Sequence, residues 1–126
     1  MKNTKRVGDI TEAKIMSALL SKGVTVLKPF GDNERYDLVI EKDGIFSRVQ
    51  CKTVRLRNGA LVGSPNSSSC GNFKYYEGQV EYFGLYSPEL NACYLTPVGK
   101  SICLRVIDPL KKQGAGKIKW AKDFEI

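Results

Sequence analysis

The chain has 126 residues, 42% of them hydrophobic and 26% charged, a globular composition with room for one domain and its core. It contains no histidine, which excludes Ser-His-Asp and Cys-His nucleophilic sites and every histidine-based nuclease. Twenty Lys and Arg against thirteen Asp and Glu leave a net charge of +7, a balance that suits a polyanionic partner such as nucleic acid.

No run approaches a membrane span, and the opening MKNTKRVGDI lacks the apolar stretch of a signal peptide. No membrane partner is expected, and the expected setting is cytoplasmic, nucleoid-associated when on DNA. Cys51, Cys70, Cys93 and Cys103 show no CxxC spacing. Cys51, Cys93 and Cys103 lie in strand-like runs, and buried free thiols in a reducing compartment are a simpler reading of them than a zinc site built from four scattered thiolates.

Residues 7–22 are predicted as the first helix: Ile15, Met16, Leu19 and Leu20 recur at helical spacing, and Gly23 is a ready stop. Glu12 shares their inward face. It is either the third residue of a capping box begun by Asp9 or a carboxylate aimed at the rest of the fold. Residues 24–28 (VTVLK) follow as a short strand, and 29–35 as a polar loop.

Asp43–Gly44 then separates two apolar, β-branched runs, the pattern of a two-residue hairpin turn. Counting outward, Lys42 faces Ile45, Leu38 faces Val49 and Asp37 faces Gln50. One face then carries Asp37, Val39, Glu41, Phe46, Arg48, Gln50 and Lys52, and the other carries Leu38, Ile40, Ser47, Val49, Cys51 and Thr53. A one-residue slip would bury Asp37 among apolar side chains, so the charge pattern supports this register.

Residues 57–72, RNGALVGSPNSSSCGN, are rich in Ser, Gly and Asn and read as a mobile loop or frayed hairpin tip, either an inert insertion or an element that orders on a ligand. Residues 73–80 are ambiguous, with a short helical turn around Tyr75, Tyr76 and Gln79. Strands are predicted at 81–87, 92–97 and 101–107, with a turn over 88–91. The segment 108–126 ends with Trp120 and Phe124 packing back on the core. No repeat or linker divides the chain, so one domain over residues 1–126 is expected.

Phosphodiester hydrolysis without histidine needs carboxylates, a cation and a hard metal bound through oxygen. Asp37 offers one carboxylate, Gln50 a neutral carbonyl oxygen, and the Cys51 backbone carbonyl a third donor, with Glu12 approaching from the helix. Mg²⁺, or Mn²⁺ in its place, suits such a set. Lys52 is placed to hold the attacking water or the scissile phosphate. Otherwise Asp37 and Lys52 form only an exposed cross-strand ion pair, worth under about 1 kcal/mol.

Glu12, then Tyr36–Asp37, then Gln50–Cys51–Lys52 resemble the PD-(D/E)xK nuclease superfamily, and most closely its group I intron-associated endonuclease branch, which has a QxK form. The matching stretches, GDITEAKIMSALLSKGVTVLKPFGDNERYDLVIE, RVQCKT, EYFGLYSPELNACYLTP, ICLRVIDP and AKDFEI, cover most of the chain. The resemblance implies an α/β, restriction-endonuclease-like core, with an N-terminal helix packed on a mixed, largely antiparallel sheet. It implies that Asp37 is the metal-binding acid, Gln50 the variant second ligand, Lys52 the catalytic lysine and Glu12 the helix acid. Tyr36 stands where the family name has proline. Gln50 stands where Asp or Glu is usual, and so lowers the negative charge at the metal.

The resulting expectation is a Mg²⁺-dependent endonuclease that cuts double-stranded DNA, similar to intron-associated homing enzymes and working as a homodimer or homotetramer, because one chain offers one site. Arg48, Arg55, Arg57, Asn58, Asn66, Lys111, Lys112, Lys117 and Lys119 are the candidate DNA contacts, beside a basic N-terminal group of Lys2, Lys5 and Arg6 and a further lysine, Lys122. The alternatives are a resolvase-type nuclease selective for Holliday junctions, a catalytically silent DNA-binding module, and an interaction domain with a basic surface.

Overall fold

The computed structural model describes residues 3–31, 33–69, 72–107 and 118–126. In chain order the elements are α1 (Thr4–Ser21), β1 (Thr25–Leu27), β2 (Leu38–Lys42), β3 (Ile45–Thr53), β4 (Arg55–Arg57), β5 (Ala60–Gly63), β6 (Asn66–Ser69), β7 (Asn72–Tyr75), β8 (Tyr82–Ser87), β9 (Ala92–Pro97) and β10 (Ile102–Arg105), with a 3₁₀ turn at Ala121–Asp123.

Helix α1 starts a turn earlier than its apolar spacing suggests. Asn3 is the cap, its side-chain oxygen accepting the Arg6 N–H at 3.1 Å. Asp9 therefore caps nothing; it sits in the second turn and pairs with Lys5 at 3.1 Å. The capping-box explanation of Glu12 falls with it. Thr11, Ile15 and Leu19 form the buried stripe, four residues apart. Leu20, one step of about 100° further round the helix, is 55% exposed and outside the core. Gly23 ends the helix as expected, at φ 80°.

The main sheet has the order β1-β2-β3-β8-β9. The β2–β3 hairpin has the register expected from its charge pattern, Leu38 opposite Val49 and Lys42 opposite Ile45. Asp43 and Gly44 both have positive φ, 53° and 81°, as a type I′ turn requires. Strands β3 and β8 run parallel, with Gln50 opposite Phe83 and Lys52 opposite Leu85, whereas β8 and β9 are antiparallel. The sheet is thus mixed and largely antiparallel.

A parallel pair needs a long crossover, and this one carries most of the residues read from sequence as a loop. Asn58 and Gly59, at φ 50° and 78°, turn β4 into β5. With β10 these strands make a second sheet, β10-β5-β4, and β6 pairs with β7 in a separate ribbon. Ala60 and Leu61 are buried, so the segment does have something to bury. The Ser, Gly and Asn around it hide a signal of two or three residues. The ambiguous stretch after β7 makes one turn, with the Gln79 and Val80 N–H groups both donating to the Tyr76 carbonyl at 2.9 and 3.1 Å.

The main sheet is covered on both faces. Ile15 and Leu19 pack on Leu38, Ile40 and Val49 on one side. On the other, Phe83 and Leu85 meet Leu61, Leu104, Tyr76 and Val80. The C-terminal residues return to the core, with Phe124 packed on it as expected and Ala121, not Trp120, as the buried anchor. Leu95 donates to the Phe124 carbonyl at 2.9 Å, and Ile126 donates to the Cys93 carbonyl at 3.0 Å. Cys103 is exposed rather than buried. Among the described residues no helix is long and apolar enough to cross a membrane.

Candidate active site

Asp37 lies one residue before β2 begins. Its N–H donates to the Val49 carbonyl at 2.9 Å, and its Oδ2 accepts the Cys51 N–H at 2.9 Å. The carboxylate thus takes over the ladder position where the β2 backbone gives out. It lies along the end of the sheet rather than standing on one face of it, and is therefore near groups on both sides. Among the described residues its other oxygen accepts no hydrogen bond. Burial pushes the Asp37 carboxyl above its ordinary value; the Cys51 N–H opposes this, nearby Glu12 adds to it, and Lys28 and Lys52 offset it.

Glu12 comes from α1, next to Thr11, whose hydroxyl is hydrogen-bonded to that of Thr53 at 2.6 Å. That bond pins the helix to the end of β3 and brings Glu12 to the same end of the sheet as Asp37. The Glu12 carboxylate is ion-paired with Lys28, their side chains 28% and 48% exposed. Lys28 follows β1, which pairs with β2 so that Leu27 faces Val39. One more residue of that register puts Lys28 level with Leu38, beside Asp37.

Lys52 is half-buried. Its ammonium donates to the Asn66 carbonyl at 3.2 Å and lies 4.8 Å from the centre of the Tyr76 ring. The Arg35 guanidinium packs on the same ring at 4.0 Å. Desolvation lowers the Lys52 pKa, Asp37 opposes the shift and Arg35 assists it. The start of β6 and the Tyr76 turn therefore form one wall of the site. Gln50, on the Lys52 side of β3, is half-buried and its amide has no hydrogen-bond partner among the described residues. Burial raises the Cys51 thiol well above its ordinary value, so it is neutral and leaves its backbone to act.

Glu12 and Asp37 bring two carboxylates to the same end of the sheet, with Cys51 bonded to Asp37 and Gln50 the residue before it on β3. Among the described residues, no group of three or more His, Cys, Asp or Glu gathers as a metal holder. Oxygen donors with two acids suit a hard divalent cation and do not suit a thiolate-seeking ion.

The remaining candidates are dispersed. The Arg48 guanidinium pairs with Glu81 and donates to the Gly78 carbonyl at 3.4 Å, holding the Glu81 carboxyl below its usual range. Arg55 and Arg57 lie on β4, near Glu89, which accepts the Leu56 N–H at 3.2 Å. Asn58 serves the β4–β5 turn, and its carbonyl accepts from Arg105 at 3.1 Å. The Asn66 side chain accepts from Ser64 at 3.0 Å while its carbonyl holds Lys52. Lys119 is exposed, and its carbonyl takes the Arg105 N–H at 2.8 Å. Lys2, Lys111, Lys112, Lys117 and Cys70 lie outside the described residues. Sequence reasoning missed Lys28, Arg35 and Tyr76. A strand register between β1 and β2 would have found Lys28, but the chain carries no turn signal that announces that pairing.

A family model described as PD-(D/E)XK endonuclease matches residues 2–126. Among solved structures, the bacterial homing endonuclease I-Ssp6803I is similar over 98% of this chain and 89% of its own, with a TM-score of 0.73 and 26% sequence identity. No curated protein matches. With the restriction-endonuclease-like α/β fold shared over nearly its whole length, this chain belongs to the PD-(D/E)XK endonuclease family and is a nuclease.

Proposed function

We propose that the protein is a Mg²⁺-dependent endonuclease that hydrolyses phosphodiester bonds in double-stranded DNA, with residues 1–126 acting as one nuclease domain. The observation that carries this reading is the Asp37 carboxylate, clamped by the Cys51 N–H with one oxygen left unbonded and near enough to Glu12 and Lys52 for their charges to act on it. A carboxylate kept half-desolvated needs a cation to ionise fully at low cost, and the donors beside it favour a hard divalent one. When bound, Mg²⁺ would supply Lewis-acid polarisation of the scissile phosphate and neutralise its developing charge.

The protein's own groups then have separable tasks. Asp37, Glu12, Gln50 and the Cys51 carbonyl would hold the ion. Lys52, steadied by Asn66 and Tyr76, keeps ammonium N–H groups for a phosphate oxygen or the attacking water. Arg55, Arg57 and the lysines near the C-terminus give sequence-independent attraction to the DNA backbone. Arg48, engaged with Glu81, contributes less. A single site per chain implies that cutting both strands uses two copies, as a dimer or tetramer.

The test is cleavage of supercoiled plasmid with Mg²⁺ or Mn²⁺, wild type beside Asp37→Ala and Lys52→Ala, each checked for folding and DNA binding. Wild type nicks or linearises the plasmid, and both variants fall by at least about a hundredfold while still binding DNA. Equal cleavage by either variant removes its residue from the mechanism.

A further inference from the structure

Two acids and two cations meet at the end of the main sheet, and one cation has no task in the reaction outlined above. Lys28 is ion-paired with Glu12, and its charge also acts on Asp37 and Cys51. Glu12 Oε2 is thereby engaged before any metal arrives. A divalent ion brought onto the same carboxylate meets an ammonium already seated there, and the two like charges repel at close range. The pair is also built to open. Lys28 sits outside β1, with nearly half its side chain exposed, on a four-carbon stem that can swing away while Glu12 stays fixed to a helix docked through Thr11 and Ile15.

We propose that Lys28 is an internal counter-ion that competes with the divalent cation for Glu12: it holds the acid pair together when the site is metal-free and is displaced on loading. This inference rests on the metal-binding reading of Asp37 and Glu12. It assigns Lys28 a positioning role, setting how much cation the protein needs before the site is complete. Such a residue makes metal affinity depend on a charge that opposes loading.

The experiment is direct titration of the full chain with Mn²⁺, following the loss of free-ion EPR signal, in wild type, Lys28→Met, Lys28→Arg and Glu12→Gln, and in the Lys28→Met/Glu12→Gln double variant. For a half-exposed pair the expected gain in Lys28→Met is modest, about three- to fivefold tighter Mn²⁺ binding. Lys28→Arg stays near wild type because the charge is kept. In the Glu12→Gln background the Lys28→Met gain shrinks to the smaller effect of removing a charge near Asp37, since the competed carboxylate is gone. Unchanged or weaker binding in Lys28→Met overturns the proposal, as does an equal gain without Glu12, or an absence of Mn²⁺ binding in both wild type and Lys28→Met. Plasmid cleavage by wild type with Mn²⁺, run in parallel, separates the two failures. If cleavage occurs, the metal reading stands and only the role of Lys28 falls; if it does not, both fall.

Discussion

Burial raises the Asp37 carboxyl, and Glu12 adds to the rise, so ionising Asp37 at neutral pH costs the metal-free fold some stability. In the window between the ordinary and the raised pKa, the folded state binds more protons than the unfolded one, and stability falls as pH rises through it. Below the ordinary carboxylate range both states are protonated and the cost disappears. Asp37→Asn keeps an acceptor for the Cys51 N–H without the charge. It should melt above wild type at pH 7 in the absence of metal, with the difference shrinking towards pH 4, while cleavage is lost; thermal melts across that range check the sign. At this scale much of the site was legible in the chain. The hairpin count from Asp43–Gly44 placed Gln50 and Lys52 on one side of β3 and Cys51 on the other. It could not show that Asp37 completes a ladder with its side chain, because that depends on where β2 stops. Nor could it find Tyr76, whose ring steadies Lys52 from a segment with no periodic signal.

At the scale of elements, Gly84 decides how closely α1 approaches the sheet. A Cβ there would lie 2.9 Å from Ile15 Cγ2 and 3.1 Å from Val49 Cγ1, inside contact distance. Gly84→Ala should therefore cost about 1–3 kcal/mol in denaturant unfolding, the usual range for overpacking a tight core. It should also reduce cleavage, since the helix that must shift carries Glu12. Unchanged stability would mean that the helix docks more loosely than these distances state. The helix itself, the β2–β3 hairpin, β8 and β9 were readable from spacing and turn residues. The start of α1 was not, because Asn3 caps it ahead of the apolar stripe. The second sheet was hidden for a different reason: β4 and β5 are three and four residues long, too short for alternation to emerge against a Gly- and Ser-rich background.

At the scale of the whole molecule, the +7 charge predicts DNA affinity that falls steeply with salt. Each phosphate neutralised contributes a slope of about −0.9 in log K against log salt. Replacing Arg55 and Arg57 together with Gln should flatten that slope by about one to two and weaken binding to all duplexes alike. An unchanged slope would assign both arginines to the neighbourhood of Glu89 instead. Composition made the sign of this partner visible, but the positions that meet it depend on the crossover between β3 and β8, which no local pattern reveals.

That crossover also orders the making of the enzyme. The β2–β3 hairpin is built from near neighbours in sequence, so Asp37 and Gln50 can come together early on the chain. Close docking of α1 with Glu12 also involves Gly84 on β8. The holders of Lys52, Asn66 and Tyr76, arrive with the crossover, and β8 must then insert beside β3 across a long separation, an intrinsically slow step. The acids and the steadied lysine of the candidate site are thus expected to assemble at different stages of folding. A chain still emerging from the ribosome would carry Asp37 on its hairpin with Lys52 lacking the Asn66 and Tyr76 contacts.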